Sequence, residues 1–239
     1  MRLSGLALVL VTVLVAGLGG GAGSAWAGGP NRPVLPPAWS WPPSKQLQAR
    51  GTACLGRLDA AGLRWVKGAR TKKVATPITL PVFELGGVAW RSRIGASSLM
   101  DCFLAEALLV HAAPALHGLG VRTVVFGSIY KFRNVSGKRL LSRHALGLAM
   151  DIYSFITEDG VEHVVEKAYP RGDVVLRDIE RALIATHGFR NVLTPATDPG
   201  EHDDHFHIEA LTPLDHVATP APQRRLPARL ALELPAAWP

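Results

Sequence analysis

Two stretches in the middle of the chain place apolar residues at helical spacing. In SSLMDCFLAEALLVHAAPAL the positions Leu99, Cys102, Phe103, Glu106 and Leu109 fall on one stripe, and Ser98 followed by Asp101 three residues on is a capping-box pattern. The spacing predicts a helix over 98–116, with Pro114 expected to kink or shorten its end. Val175, Ile179, Leu183 and Ile184 mark a second helix over 174–187, with Gly188 as its stop. Strand patterns cover 122–128, 148–153 and 205–210. Strands and helices at unequal spacing favour an α+β domain over a regular doubly wound one.

The ends of the chain read differently. Met1-Arg2, the apolar run from Leu6 to Leu18 and Ala25-Trp26-Ala27 have the form of a secretory signal peptide over 1–27. An uncleaved anchor is the alternative, although the run falls short of the ~20 residues that span a bilayer. A proline-rich linker follows over 28–47, then a domain over 48–212, then a proline-rich tail over 213–239. Of 239 residues 48% are hydrophobic, enough for one domain with a core. Export to the periplasm or cell wall makes a Cys54–Cys102 disulfide the expected state of the two cysteines, with two separately buried thiols as the alternative. Two cysteines cannot build a Cys-rich metal site, so any metal must use His and carboxylate. The net charge of +7 suits a polyanionic neighbourhood, but basic and aromatic residues do not interleave as on a nucleic-acid platform. Nucleic acid is therefore not an expected partner, and neither is a stable membrane span once the signal is removed.

Candidate chemistry gathers in two clusters. In His202-Asp-Asp-His-Phe-His-Ile-Glu209, strand alternation would put His205, His207 and Glu209 on one face and Phe206 and Ile208 on the other. In Ser142-Arg-His144-Ala-Leu-Gly-Leu-Ala-Met-Asp151, a His and an Asp frame a turn of small residues, where Gly147 and Ala149 leave room for close backbone approach. Asp151 lies between Met150 and Ile152, and a carboxylate embedded there is costly unless it meets a cation. Two imidazoles and one carboxylate form a common catalytic zinc set with its fourth position left for water. A His144–Asp151 hydrogen bond without metal is the alternative. His111, His117, His163, His187 and His216 read as ordinary surface or helix residues.

Ser142 to Asp151 fits SxHxxGxAxD and His205-Phe-His207 fits HxH, the two metal motifs of the zinc peptidases that group D-Ala-D-Ala metallopeptidases, murein endopeptidases and the hedgehog signalling domain. Together with CFLAEALLVHAAPALHGLGVRTVVFGSIYKFRN and GFRNVLTPATDPGEHDDHFHIEA, these blocks make the region from Cys54 to Ala210 resemble the bacterial extensin-like C-terminal domain family. The resemblance implies a small antiparallel central sheet with flanking helices and a zinc ion held by His144, Asp151 and His207. It further implies Asp204 as an acidic general base, His205 as the group beside the metal that stabilises an oxyanion, and Arg133 as a substrate contact. His202 and Glu209 are candidates to orient the ligand imidazoles. Related domains often carry cysteines where Phe132 and His187 stand here, and Cys54 and Cys102 match the other family pair. The implied activity is hydrolysis of amide bonds in peptidoglycan stem or cross-link peptides, and the competing expectation is a non-catalytic zinc-containing wall-binding or scaffolding domain.

Overall fold

The computed structural model of the chain describes residues 34–215. The signal-peptide segment, most of the tail and His216 lie outside them. Among the described residues no helix is long and apolar enough to cross a membrane.

The first helix, α1 (Lys45–Ala60), starts inside the proline-rich segment. Ser44 caps it, accepting the Leu47 N–H at 3.2 Å. Leu47, Gly51, Cys54 and Leu58 form its buried line, and Trp39 ahead of it is buried too. Gly51 is there for space: a Cβ would lie 2.0 Å from the Thr76 hydroxyl. Cys54 is bonded to Cys102, across 48 residues and with the Cα atoms 6.2 Å apart, which pins α1 to the next helix. Beside this bridge Arg57 holds Glu106 with two hydrogen bonds.

That next helix begins later than predicted. Short strands β1 (Val66–Lys67), β2 (Pro77–Thr79) and β5 (Met100–Asp101) form a small antiparallel sheet. Between them in the chain come β3 (Glu84–Leu85) and β4 (Val88–Ser92). Ser98 does not cap a helix, because its hydroxyl exchanges two hydrogen bonds with the Leu80 backbone. Asp101 is the cap of α2 (Cys102–Ala107), accepting the Phe103 N–H at 3.2 Å. A wide turn over Leu108–Ala112 then leads into α3 (Ala113–Gly118). In it the Ala113 N–H reaches back five residues to Leu108, so Pro114, which lacks an N–H, enters the first turn of a new segment. The helix runs on past Pro114 instead of ending there.

The main sheet has seven strands in the order β3-β4-β6-β7-β10-β9, with β8 also paired to β7. Its members after β4 are β6 (Val121–Phe126), β7 (Ala149–Thr157), β8 (Glu162–Val164), β9 (Phe189–Leu193) and β10 (Phe206–Ala210). The sheet is mixed and larger than the small antiparallel one expected, since β4 runs parallel to β6. A short α4 (Val165–Ala168) and then α5 (Val174–Ala185) complete the α+β fold. Helices α2, α3 and α5 pack on β4, β6, β9 and β10. Met150, Ile152, Phe206 and Ile208 lie fully buried in the core.

Helix α5 buries Leu176, Ile179 and Leu183, while Val175 and Ile184 are half-buried. It ends two residues before its predicted limit. The left-handed residue after it is His187, with φ 53°, and not Gly188. Gly188 is required for another reason: a Cβ there would sit 2.1 Å from the His111 ring.

Candidate metal centre

Three elements converge on one point. A one-turn 3-10 helix over Arg143–Leu146 carries His144, and Ser142 caps it by accepting the His144 N–H. Gly147 closes that turn with φ 68°, and a Cβ would lie 2.7 Å from the Asp101 nitrogen. The close approach foreseen at Gly147 is therefore to the β5 backbone, not to the site. β7 follows at once and carries Asp151. On the neighbouring antiparallel strand β10, His207 stands directly opposite Asp151 in the ladder.

The side chains of His144, Asp151 and His207 are buried, and their inner atoms form a near-equilateral triangle. His144 Nε2 lies 3.0 Å from Asp151 Oδ1 and 3.1 Å from His207 Nδ1, and His207 Nδ1 lies 2.8 Å from Asp151 Oδ1. The outer nitrogens are committed elsewhere. His144 Nδ1–H donates to the Ile129 carbonyl at 2.8 Å, and His207 Nε2 faces Glu209 Oε1 at 3.3 Å. With those protons on the outside, three lone pairs point at one another. Such a cluster is repulsive without a cation, and a tetrahedral ion at ~2.0–2.1 Å from each atom would need the triangle to open by only a few tenths of an ångström, to edges of about 3.3 Å. This donor set could hold a metal ion.

Without a metal, a proton fills the same need. Burial works against a charged His207, but hydrogen bonds to Asp151 and Glu209 outweigh it and raise its pKa to about 9. Burial likewise opposes ionisation of Asp151. Its close contacts with the imidazoles of His144, His205 and His207 overcome this and hold it well below the usual carboxylate range. Ser128 donates to its second oxygen at 2.9 Å and fixes the carboxylate plane.

Behind His207, Glu209 is buried and accepts from Arg190 at 3.0 Å and Asn191 at 2.7 Å. Burial raises its pKa, but the bond from His207 and the charges of His207, Arg143 and Arg190 bring it down to about 2. Carboxylate, imidazole and ion site thus lie in line, an arrangement that sets the ligand tautomer. Arg143 and Arg190 also reach Asp215, so the first residues after β10 brace this carboxylate.

His205 precedes β10 by one residue, so strand alternation does not place it. It arrives from the loop, with Nε2 3.5 Å from Asp151 Oδ1 and Nδ1–H donating to Asp204 at 2.6 Å. Burial lowers its pKa, and the hydrogen bonds to Asp151 and Asp204 more than reverse this. Asp204 is half exposed and borders a cleft of ≈ 540 Å³ that also touches Tyr169, Arg177 and Pro195. His202 Nδ1 bonds Asp198 at 2.9 Å, and its ring lies 5.2 Å from that of His207. Burial, then the charges of His207 and His205, lower its pKa. His202, His205 and His207 form a second group that could hold an ion, sharing His207 with the first. Arg133 is exposed; its carbonyl accepts the Ser142 N–H at 3.0 Å, tying its loop to the His144 turn.

Ser128, Arg143, Arg190 and Asn191 were not among the sequence candidates. Only Ser128, next to Gly127 at the end of a predicted strand, carried a local signal. The other three act through Glu209: Arg190 and Asn191 become visible once β9 is known to pair with β10, and Arg143 comes from the turn that carries His144.

An α+β domain that buries two imidazoles and a carboxylate with their inner atoms turned to one point defines a candidate metal-binding protein. The family described as Extensin-like protein C-terminus matches residues 52–217, more than half of the chain, and the chain belongs to that family. No curated protein and no solved structure matches it.

Proposed function

We propose that the chain is an exported zinc-dependent peptidase that hydrolyses amide bonds in peptidoglycan stem or cross-link peptides, with a centre of the D-Ala-D-Ala metallopeptidase and hedgehog type. The observation that carries this reading is the triangle of ligand atoms on His144, Asp151 and His207, with His205 and Asp204 on its solvent side. A zinc ion bound there would polarise the substrate carbonyl and bring the pKa of a bound water to ~7.

The protein's own groups divide the remaining work. Asp204 accepts the His205 Nδ1–H and so keeps the ring turned with Nε2 toward the centre. The pair can take a proton at His205 Nε2 or at Asp204 and return it to a leaving amine. In its protonated form His205 also faces any oxyanion with an N–H. Arg133, exposed on the loop tied to the His144 turn, is available to a substrate carboxylate or carbonyl.

One observation favours a second reading. With Nε2 only 3.5 Å from Asp151 Oδ1, His205 is near enough to become a fourth ligand, and a closed centre would serve a non-catalytic wall-binding or scaffolding domain. Zinc-loaded protein incubated with sacculi separates the two. The peptidase reading expects soluble muropeptides by mass spectrometry, none from His207→Ala, and zinc retained without turnover in Asp204→Ala. Stoichiometric zinc with no fragment released from any murein peptide would refute catalysis and leave the closed centre.

A further inference from the structure

Tyr153 lies two residues beyond Asp151 on β7, at a place where the ladder is irregular. Val125 of β6 pairs with Ser154 and Phe126 pairs with Ile152, so Tyr153 has no partner on β6. On the other edge of β7, pairing passes from β10, which ends its register at Ile152, to β8, which begins at Ser154. A bulge of this kind re-aims a side chain. The ring turns over Gly127, where a Cβ would stand 2.4 Å from Tyr153 Cε2, so glycine is needed to make room for it.

Two groups stack on that ring. His205 lies 5.3 Å away, centroid to centroid, with the planes 26° apart. The Arg93 guanidinium carbon lies 4.1 Å from the ring centroid. Arg93 follows β4, and its N–H donates to the Phe126 carbonyl at 2.8 Å, which ties its backbone to the end of β6 beside Gly127. The side chain is exposed and, among the described residues, no carboxylate pairs with it. Its guanidinium sits over the ring with no hydrogen-bond or ion-pair partner for its N–H groups among the described residues, and a guanidinium held in this way suits bidentate binding of a carboxylate. Arg93, Tyr153 and His205 together span roughly two or three residues of extended peptide at about 3.3–3.6 Å each.

We infer that Arg93, presented by Tyr153 beside His205, is a carboxylate-binding residue and selects peptide ligands bearing an anionic group a short distance from the amide at the metal centre. The inference rests on the reading of that centre as the place where a peptide amide binds. It adds a second arginine to Arg133, on a different loop, and gives Tyr153 a positioning role for both Arg93 and His205.

The experiment measures binding, with the probe verified intact at every point of the titration, so it does not depend on turnover. Zinc-loaded full-length protein is titrated with N-acetyl-D-alanyl-D-alanine and with its C-terminal amide, following chemical shifts or heat. Wild type is expected to prefer the acid by roughly tenfold, the range of a hydrogen-bonded charge pair. Arg93→Gln should shrink the preference to less than about twofold with zinc content unchanged, and Arg93→Lys should keep part of it. Tyr153→Leu, which leaves the arginine without its platform, should also lose most of the preference. Equal binding of acid and amide by wild type overturns the inference, as does a full preference in Arg93→Gln or its loss only in Arg133→Gln. Failure to release muropeptides from sacculi would instead count against the peptidase reading alone.

Discussion

On the proposed reading zinc and a proton compete for the same place in the triangle, so zinc affinity must depend on pH in a set way. The His207 pKa of about 9 leaves its imidazole about 99% protonated at pH 7. Binding zinc through His207 Nδ1 expels that proton, which costs about a hundredfold in apparent affinity at pH 7 relative to the deprotonated site. The apparent Kd should therefore tighten roughly tenfold per pH unit from pH 6.5 to 8.5 and level off near pH 9. Competition against a chromogenic chelator, corrected for the chelator's own protonation, reads this directly. Calorimetry in buffers of different ionisation enthalpy should show close to one proton released at pH 7. The metal-free fold should respond in the opposite sense. A His pKa raised from 6.5 contributes stability that is fully present below 6.5 and is lost as pH rises through about 9, here about 3 kcal/mol. For a domain of this size that is roughly 6–12 °C in Tm. A zinc Kd flat over pH 6.5–8.5, or a metal-free Tm unchanged from pH 6.5 to 9.5, would refute the reasoning.

Three other outcomes follow from the same geometry. Glu209→Gln removes the carboxylate behind His207 and should weaken zinc binding by ~10–100-fold while leaving the fold in place, as checked by chelator competition and circular dichroism. Gly147→Ala forces a side chain onto a backbone with φ 68° and against the Asp101 nitrogen, and should cost roughly 2–4 kcal/mol in urea unfolding. Replacing both Cys54 and Cys102 by Ala opens a loop spanning a separation of 48 residues, worth about 4 kcal/mol in the chain-entropy view, and should lower the urea midpoint of the metal-free protein accordingly.

The parts of the fold legible in the sequence are those whose signal is local. Asp151 and His207 sit on strands whose alternation showed in Met150, Ile152, Phe206 and Ile208, and the ladder brings the two residues face to face. Helix α5 was legible from its stripe, and the helix around Phe103 was legible in its body but not in its cap. Asp101 and Ser98 are both capping residues by type, and tertiary contacts decided between them, because Ser98 is drawn to the Leu80 backbone. The wide turn before Pro114 has no pattern of its own.

What escaped the sequence depended on pairing between distant segments. Helix α1 has a thin apolar stripe interrupted by Gly51, whose value lies in its fit against Thr76. The parallel pairing of β4 with β6 makes the sheet mixed, and β4 is too short to announce itself. At the site, alternation placed His207 and Glu209 together but could not place His205, which enters from a loop. Glu209 is a buried carboxylate because Arg190 and Asn191 of β9 lie beside it, which only the β9–β10 register reveals. Tyr153 and Arg93 were hidden for the same reason, since neither the bulge at Tyr153, sixty residues beyond Arg93, nor Gly127 between them can be matched to Arg93 by spacing.

The central claim is that one zinc ion binds where His144, Asp151 and His207 meet. Anomalous diffraction at the zinc edge from crystals of the full chain purified with zinc tests it most directly. The account predicts a single peak bonded to His144 Nε2, Asp151 Oδ1 and His207 Nδ1. A peak held instead by His202, His205 and His207, or no peak in protein saturated with zinc, would contradict it.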